Sequence, residues 1–109
     1  MPELADRFEN VTVLVKANIF ADGRCQSRTL IFPDGSKKTL GVYMPGEFVF
    51  DSHEPERVLV TSGSVEVFFS HDAGWHTVSA GEYYDVPANC TFKVRTQGMA
   101  EYICDFLFE

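Results

Sequence analysis

From Val11 onward the chain alternates apolar and polar residues with a period of two, and turn chemistry interrupts it every few residues. Side chains that point to opposite faces of a strand produce that rhythm, and a helix does not. Val11, Val13, Val15, Ala17 and Ile19 alternate with Thr12, Lys16 and Asn18, although Leu14 and Phe20 break the pattern. We read this as one half-buried strand closed by Ala21-Asp22-Gly23, a hairpin signal, with a second extended run from Arg24 to Phe32. Pro33-Asp34-Gly35-Ser36 is the next turn: proline presets φ, and Asp and Gly meet the remaining demands. Lys37 to Tyr43 is the return strand.

Further marks at Pro45-Gly46, His53-Glu54-Pro55, Ser62-Gly63, Ala73-Gly74, Ala80-Gly81, Pro87-Ala88-Asn89 and Gln97-Gly98 divide the rest. Between them lie expected strands at Glu47–Phe50, Arg57–Thr61, Ser64–Ser70, Trp75–Val78, Glu82–Val86, Thr91–Arg95 and Met99–Phe108. Val65, Val67 and Phe69 share one face, as do Phe92 and Val94. The helical candidate is a short one, Glu3 to Phe8. Many short strands with regular turns predict an all-β sandwich or barrel.

A chain of 109 residues holds one domain, here residues 1–109 with 1–8 as a short N-terminal extension. Apolar residues at 45% and charged residues at 23% exclude a disordered or low-complexity chain. No run approaches the ~20 apolar residues of a membrane helix, and the acidic start carries no secretory pattern, so the cytoplasm is the expected location. A net charge of −7 repels nucleic acid and anionic membranes, and an anionic ligand then requires its few cations to be gathered at one site. Cys25, Cys90 and Cys104 are an odd, widely spaced set, expected to be reduced thiols serving as small core residues.

Three histidines offer little for a metal. His71 and His76 read as surface polarity, and His53 has only Glu54 and Glu56 beside it, short of a convergent ligand set. Yet the segment around His53 carries a resemblance. Gly46, Glu56 and Gly63 fit the first motif of a cupin, with six residues between Glu56 and Gly63. Gly81 and Pro87 fit the second. The places of the paired histidines fall around Val49 to Ser52, which hold none, and Phe92 stands where the last histidine belongs. The chain thus resembles a jelly-roll β-barrel that has kept its turns and lost its metal ligands.

A closer resemblance rests on two sets of residues. The first is Lys16-Ala17-Asn18, Asp22 to Ser27, Phe32-Pro33-Asp34-Gly35 and Lys38 to Val42. The second is Pro45 to Phe48, Glu54-Pro55-Glu56, Trp75, Ala80-Gly81, Val86-Pro87-Ala88 and Tyr102-Ile103-Cys104. Over residues 8–107 the order and spacing resemble the bacterial pyrimidine/purine nucleoside phosphorylases, small single-domain cupins. The resemblance implies phosphorolysis of nucleosides of both base classes to free base and pentose 1-phosphate. It implies inorganic phosphate as co-substrate, no other cofactor, and a homodimer. Arg57 departs from the family's usual residue, and a cation there would alter the electrostatics of the mouth.

Such a reaction builds positive charge on the sugar and negative charge on the departing base, and it needs phosphate held at attacking distance. Ser36-Lys37-Lys38-Thr39 is the densest group of cation and hydroxyl donors. Ser27 and Arg28 are expected across the turn; a hairpin symmetric about Asp34-Gly35 would set residues 30 and 39 opposite each other. The plain alternative for Lys37 and Lys38 is a solvated turn. Glu56 holds the cupin glutamate position and is the candidate catalytic carboxylate, its alternative being a turn cap. Glu47 is a second carboxylate candidate. Tyr43, Phe92 and Tyr102 are candidates to stack the base, with ordinary core packing as the alternative. Trp75 reads as an outer-wall or dimer residue. The competing function is a non-catalytic cupin that binds a small ligand as sensor or scaffold; a metal-dependent cupin is disfavoured by the missing histidines.

Overall fold

The computed structural model describes residues 6–70 and 74–107. Among the described residues eleven strands form two antiparallel sheets. The larger carries β1 (Thr12–Val13), β2 (Asn18–Phe20), β3 (Cys25–Ile31), β4 (Lys37–Tyr43), β6 (Glu56–Ser62), β9 (Tyr83–Val86) and β11 (Ala100–Phe106). Its order is β1-β3-β4-β11-β6-β9, with β2 also on β3. The smaller runs β5-β10-β7-β8, from β5 (Gly46–Asp51), β7 (Ser64–Phe69), β8 (His76–Ser79) and β10 (Thr91–Thr96). The all-β reading holds, and the expected strands from β3 to β11 appear with ends shifted by a residue or two. No described helix is long and apolar enough to cross a membrane.

Alternation explains the core. Val58 and Val60 of β6, Val65, Val67 and Phe69 of β7, and Phe92 and Val94 of β10 turn inward and are buried in one cluster between the sheets. Valine suits this position because its branched Cβ fits a pleated, buried surface, and each buried side chain contributes about 1.5–3 kcal/mol. Cys25 and Cys104 are buried and unbridged, while Cys90 is half-buried. Burial raises the Cys25 thiol to about 11, against a weaker lowering by Arg24.

The N-terminal half departs from expectation in three ways. The single strand expected from Val11 to Ile19 is two short strands on one edge of β3, separated by a bend at Val15 and Lys16. Thr12 opposes Ile31 but Asn18 opposes Ser27, so two extra residues are accommodated between the segments. An even number of extra residues leaves the faces unchanged, so Asn18 and Phe20 share the inner face with Ser27 and Cys25 just as Thr12 opposes Ile31, while Val15 is 87% exposed and Ile19 55% exposed. An edge strand lacks a second partner to fix its faces, which is why its apolar rhythm misled.

The hairpin register also differs by one residue: Thr29 opposes Thr39 and Ser27 opposes Gly41. The turn closes around Asp34, whose carboxylate accepts the Ser36 backbone N–H at 2.9 Å. A slip of one residue exchanges faces. It is the observed register that puts Ser27, Thr29 and Thr39 on one face. The short helix expected at Glu3–Phe8 lies partly outside the described residues, and the described part, Asp6 to Phe8, is not helical. His71 also lies outside the described residues.

Candidate functional site

A cavity of about 410 Å³ opens between the sheets, within the ~300–1,000 Å³ typical of small-molecule sites. One wall is the inner face of the β2-β3-β4 ribbon. Asn18, Ser27, Thr29, Lys37 and Thr39 all line it, because residues two apart on β3 and β4 point the same way. The Asn18 side-chain amide donates to the hydroxyls of Ser27 and Thr29, each at 3.1 Å. Each hydroxyl thereby accepts one proton and retains its own O–H, that of Ser27 being hydrogen-bonded with the Tyr102 phenol. Lys37 stands at the mouth with its ammonium 5.5 Å from the centre of the Phe106 ring, and among the described residues it has no ion-pair partner.

The facing wall is acidic. Glu56 enters on the inner face of β6, next to Val58, and Glu54 and His53 follow from the β5–β6 loop. Burial pushes the Glu56 carboxyl above the usual glutamate range. The Cys104 thiol, 3.5 Å from Glu56 Oε1, and the nearby His53 partly offset this, while Glu54 adds to it. Cys104 is itself raised by burial and then by the Glu56 charge, so it is a thiol and not a thiolate.

Tyrosines form the floor. Tyr43 and Tyr84 share a hydrogen bond at 3.2 Å, and the rings of Tyr43 and Tyr102 stack at 4.6 Å. Burial raises all three phenols, so they remain neutral donors. Phe50 and Phe92 sit edge-tilted at 5.7 Å on the other sheet. Phe20, 44% exposed, meets Phe50 edge-on at 5.9 Å at the mouth.

The structure therefore gathers Glu56, Lys37, Thr39, Ser27, Tyr43, Phe92 and Tyr102 in one cavity and leaves four expectations outside it. Glu47 is exposed on β5, its neighbour Phe48 taking the inward place. Arg28 turns outward and donates to the Val15 carbonyl. Arg57 is on the outer face too, bonded to both oxygens of Asp85 at 2.8 and 3.1 Å and 4.2 Å from the Tyr83 ring, so it does not set the charge of the mouth. Lys38 pairs with Asp105 on the other face of β4 from Lys37. Tyr43, Phe92 and Tyr102 are buried among other rings, whereas Phe20 is 44% exposed and Phe50 is partly buried between it and the core rings. Trp75 lies against Phe68 and over Arg95, on the outer wall as expected.

Sequence reading missed Asn18, Thr29, Phe20 and Glu54 as site residues. Asn18 and Thr29 were within reach once the hairpin register was known, and Phe20 was visible as a break in the alternation. Among the described residues no three of His, Cys, Asp and Glu converge as a metal cluster.

Comparison with known proteins agrees with this architecture. Residues 15–106 match the family model described as pyrimidine/purine nucleoside phosphorylase. A relative so named from Hydrogenovibrio crunogenus is 43% identical over 101 residues, covering 93% of this chain and 97% of its own. Another from Geotalea daltonii is 46% identical over 100 residues, covering 92% and 96%. A crystal structure of a protein of unknown function from Acinetobacter superposes with a TM-score of 0.91 at 36% identity, over 94% of this chain and all of that one. A putative mannose-6-phosphate isomerase from Ralstonia eutropha, a cupin-like fold, superposes with a TM-score of 0.65 at 22% identity over 99% of this chain and all of its own, a likeness of fold alone.

Proposed function

The chain belongs to the pyrimidine/purine nucleoside phosphorylase family, and on that premise we propose that its cavity carries out phosphorolysis of purine and pyrimidine nucleosides with protein side chains alone. The observation that supports this most is the opposition of two walls. A cation with three hydroxyls lies on one side, and a carboxyl held toward its protonated form lies on the other.

Phosphate binds at the ribbon wall, where the Lys37 ammonium supplies the charge and Ser27, Thr29 and Thr39 supply O–H donors. The nucleoside lies between that wall and Glu56, its base against Phe20 and Phe50. A phosphate oxygen forms the new bond to C1′ as the C1′–N bond breaks, and the bonding pair leaves on the base nitrogen. The Glu56 carboxyl gives its proton to that base, and the Tyr43, Tyr84 and Tyr102 phenols line the floor as neutral donors. Stacking on phenylalanine faces makes no demand on a particular hydrogen-bonding edge, which suits both base classes. Pairing of two chains and a cytoplasmic location belong to the same reading; the apolar edge at Val13, Leu14, Val15 and Ile19, exposed in one chain, supports the pairing.

The test is incubation of purified protein with inosine or uridine, with and without phosphate and with a chelator. Phosphate-dependent release of base that survives chelation is the expected result. Retained nucleoside binding with no release would support the non-catalytic reading instead, and loss of activity on chelation would remove the metal-independent one.

A further inference from the structure

Among the described residues, Oε2 of Glu54 is the one buried side-chain oxygen or nitrogen with no hydrogen-bond partner. Leaving a buried acceptor unpaired destabilises a fold, and such atoms are rare in native proteins. The loop that carries this carboxylate is pinned on both sides. The Ser52 N–H donates to the Cys90 carbonyl at 2.8 Å, and the Cys90 N–H donates back to Ser52 Oγ at 3.0 Å. Beyond Glu54, the Leu107 N–H holds the Pro55 carbonyl at 2.8 Å. Between these anchors Glu54 lines the cavity beside Glu56, one of whose oxygens already receives the Cys104 thiol. Rotation about the soft terminal carboxylate torsion is what turns the buried Oε2 toward that space.

Resting on the phosphorolysis reading, we propose that Glu54 reads the sugar: its unpartnered oxygen accepts hydroxyl protons of the pentose, so substrates are selected by their ribose and not by their base. A carboxylate accepts and does not donate, so its ligand must bring the proton. Phosphate is an anion and is repelled. Ring N–H groups of bases differ from one nucleoside to the next; the N3–H of uracil has no counterpart in cytosine. The sugar hydroxyls are common to every ribonucleoside. This assigns the two neighbouring glutamates separate tasks, Glu56 to the departing base and Glu54 to the pentose.

Calorimetric titration without phosphate tests this on the whole chain, with uridine, 2′-deoxyuridine and 3′-deoxyuridine as probes. Wild type is expected to bind uridine about tenfold or more tighter than at least one deoxy analogue, the scale of one hydrogen bond to a charged group. Glu54→Ala brings that ratio close to one, with a thermal midpoint unchanged or raised because an unpaired acceptor has gone. If the alanine variant unfolds early, Glu54→Gln decides, with the ratio reduced several-fold by loss of the charge. Equal binding of all three nucleosides by wild type, no uridine binding, or a ratio untouched by substitution overturns the proposal. Uridine turnover with phosphate is read separately: sugar-selective binding without turnover removes phosphorolysis and keeps the role of Glu54, whereas turnover without sugar selectivity does the reverse.

Discussion

Gly41 lies directly beneath the phenol ring of Tyr102, so closely that a Cβ at residue 41 would stand 2.0 Å from the ring's Cζ. The two residues oppose each other across β4 and β11, and the missing side chain is what lets the ring lie down as part of the cavity floor. Gly41→Ala therefore forces Tyr102 upward into the cavity. We expect a loss of stability of about 1–3 kcal/mol, the range for overpacking a core, together with weakened nucleoside binding. Urea unfolding and a binding titration measure the two effects. An alanine variant as stable as wild type would show that the floor can rearrange freely.

Lys37→Ala is expected to raise KM for phosphate about tenfold or more, the weight of a charge-assisted hydrogen bond. Stability should barely move, since Lys37 is exposed and its contact with Phe106 contributes only about 0.5–1 kcal/mol. Lys37→Arg should recover part of the lost affinity. Initial rates against phosphate concentration check this, and an unchanged KM would remove Lys37 from the phosphate site.

Glu56→Gln should lower kcat about a hundredfold or more if the carboxyl supplies the proton. Burial raises its pKa in the fold, so the folded protein holds this proton to higher pH than the unfolded chain does. Its ionisation therefore opposes folding: the penalty is absent below the ordinary glutamate range near pH 4.3 and is complete once pH passes the raised value. The glutamine variant should match wild type in stability in acid and equal or exceed it near neutrality. The wild-type rate should fall as pH rises through the raised value. Thermal melts and rate profiles over pH would sink the assignment if the variant were the less stable near neutrality and showed the same rate profile as wild type.

Phe20→Ala should raise KM for inosine and uridine alike, by about tenfold, because stacking on a ring is worth about 1–3 kcal/mol for any base. Its 44% exposure means that the fold loses little. An effect on one base class alone would point to edge recognition instead of stacking.

The alternation from Cys25 to Phe106 was enough to locate nine strands, whereas Glu56 was marked by its place in the cupin-like pattern, Thr39 by its neighbouring lysines and Tyr102 by its ring, with the face of Thr39 left open. Turn residues set the strand ends for equally local reasons: Asp34 caps its own turn and needs nothing distant. The segment from Val11 to Phe20 was misread because an edge strand is held on one side only. Its two extra residues at Val15 and Lys16 are taken up at that edge without exchanging faces, and the apolar Val13, Val15 and Ile19 are the exposed residues.

Local chemistry, then, determined the strands, the turns and the residue types available to a site. What tertiary structure alone decided was pairing. Whether Thr29 or Leu30 opposes Thr39 depends on a single residue in a turn, yet it selects which side chains meet. The approach of Glu54 and Glu56 to the hydroxyl ribbon joins segments far apart in the chain, and only the packing of the sheets brings them to one cavity. A periodic sequence encodes faces strand by strand; distance between strands exists only after the sheets have closed on a common core.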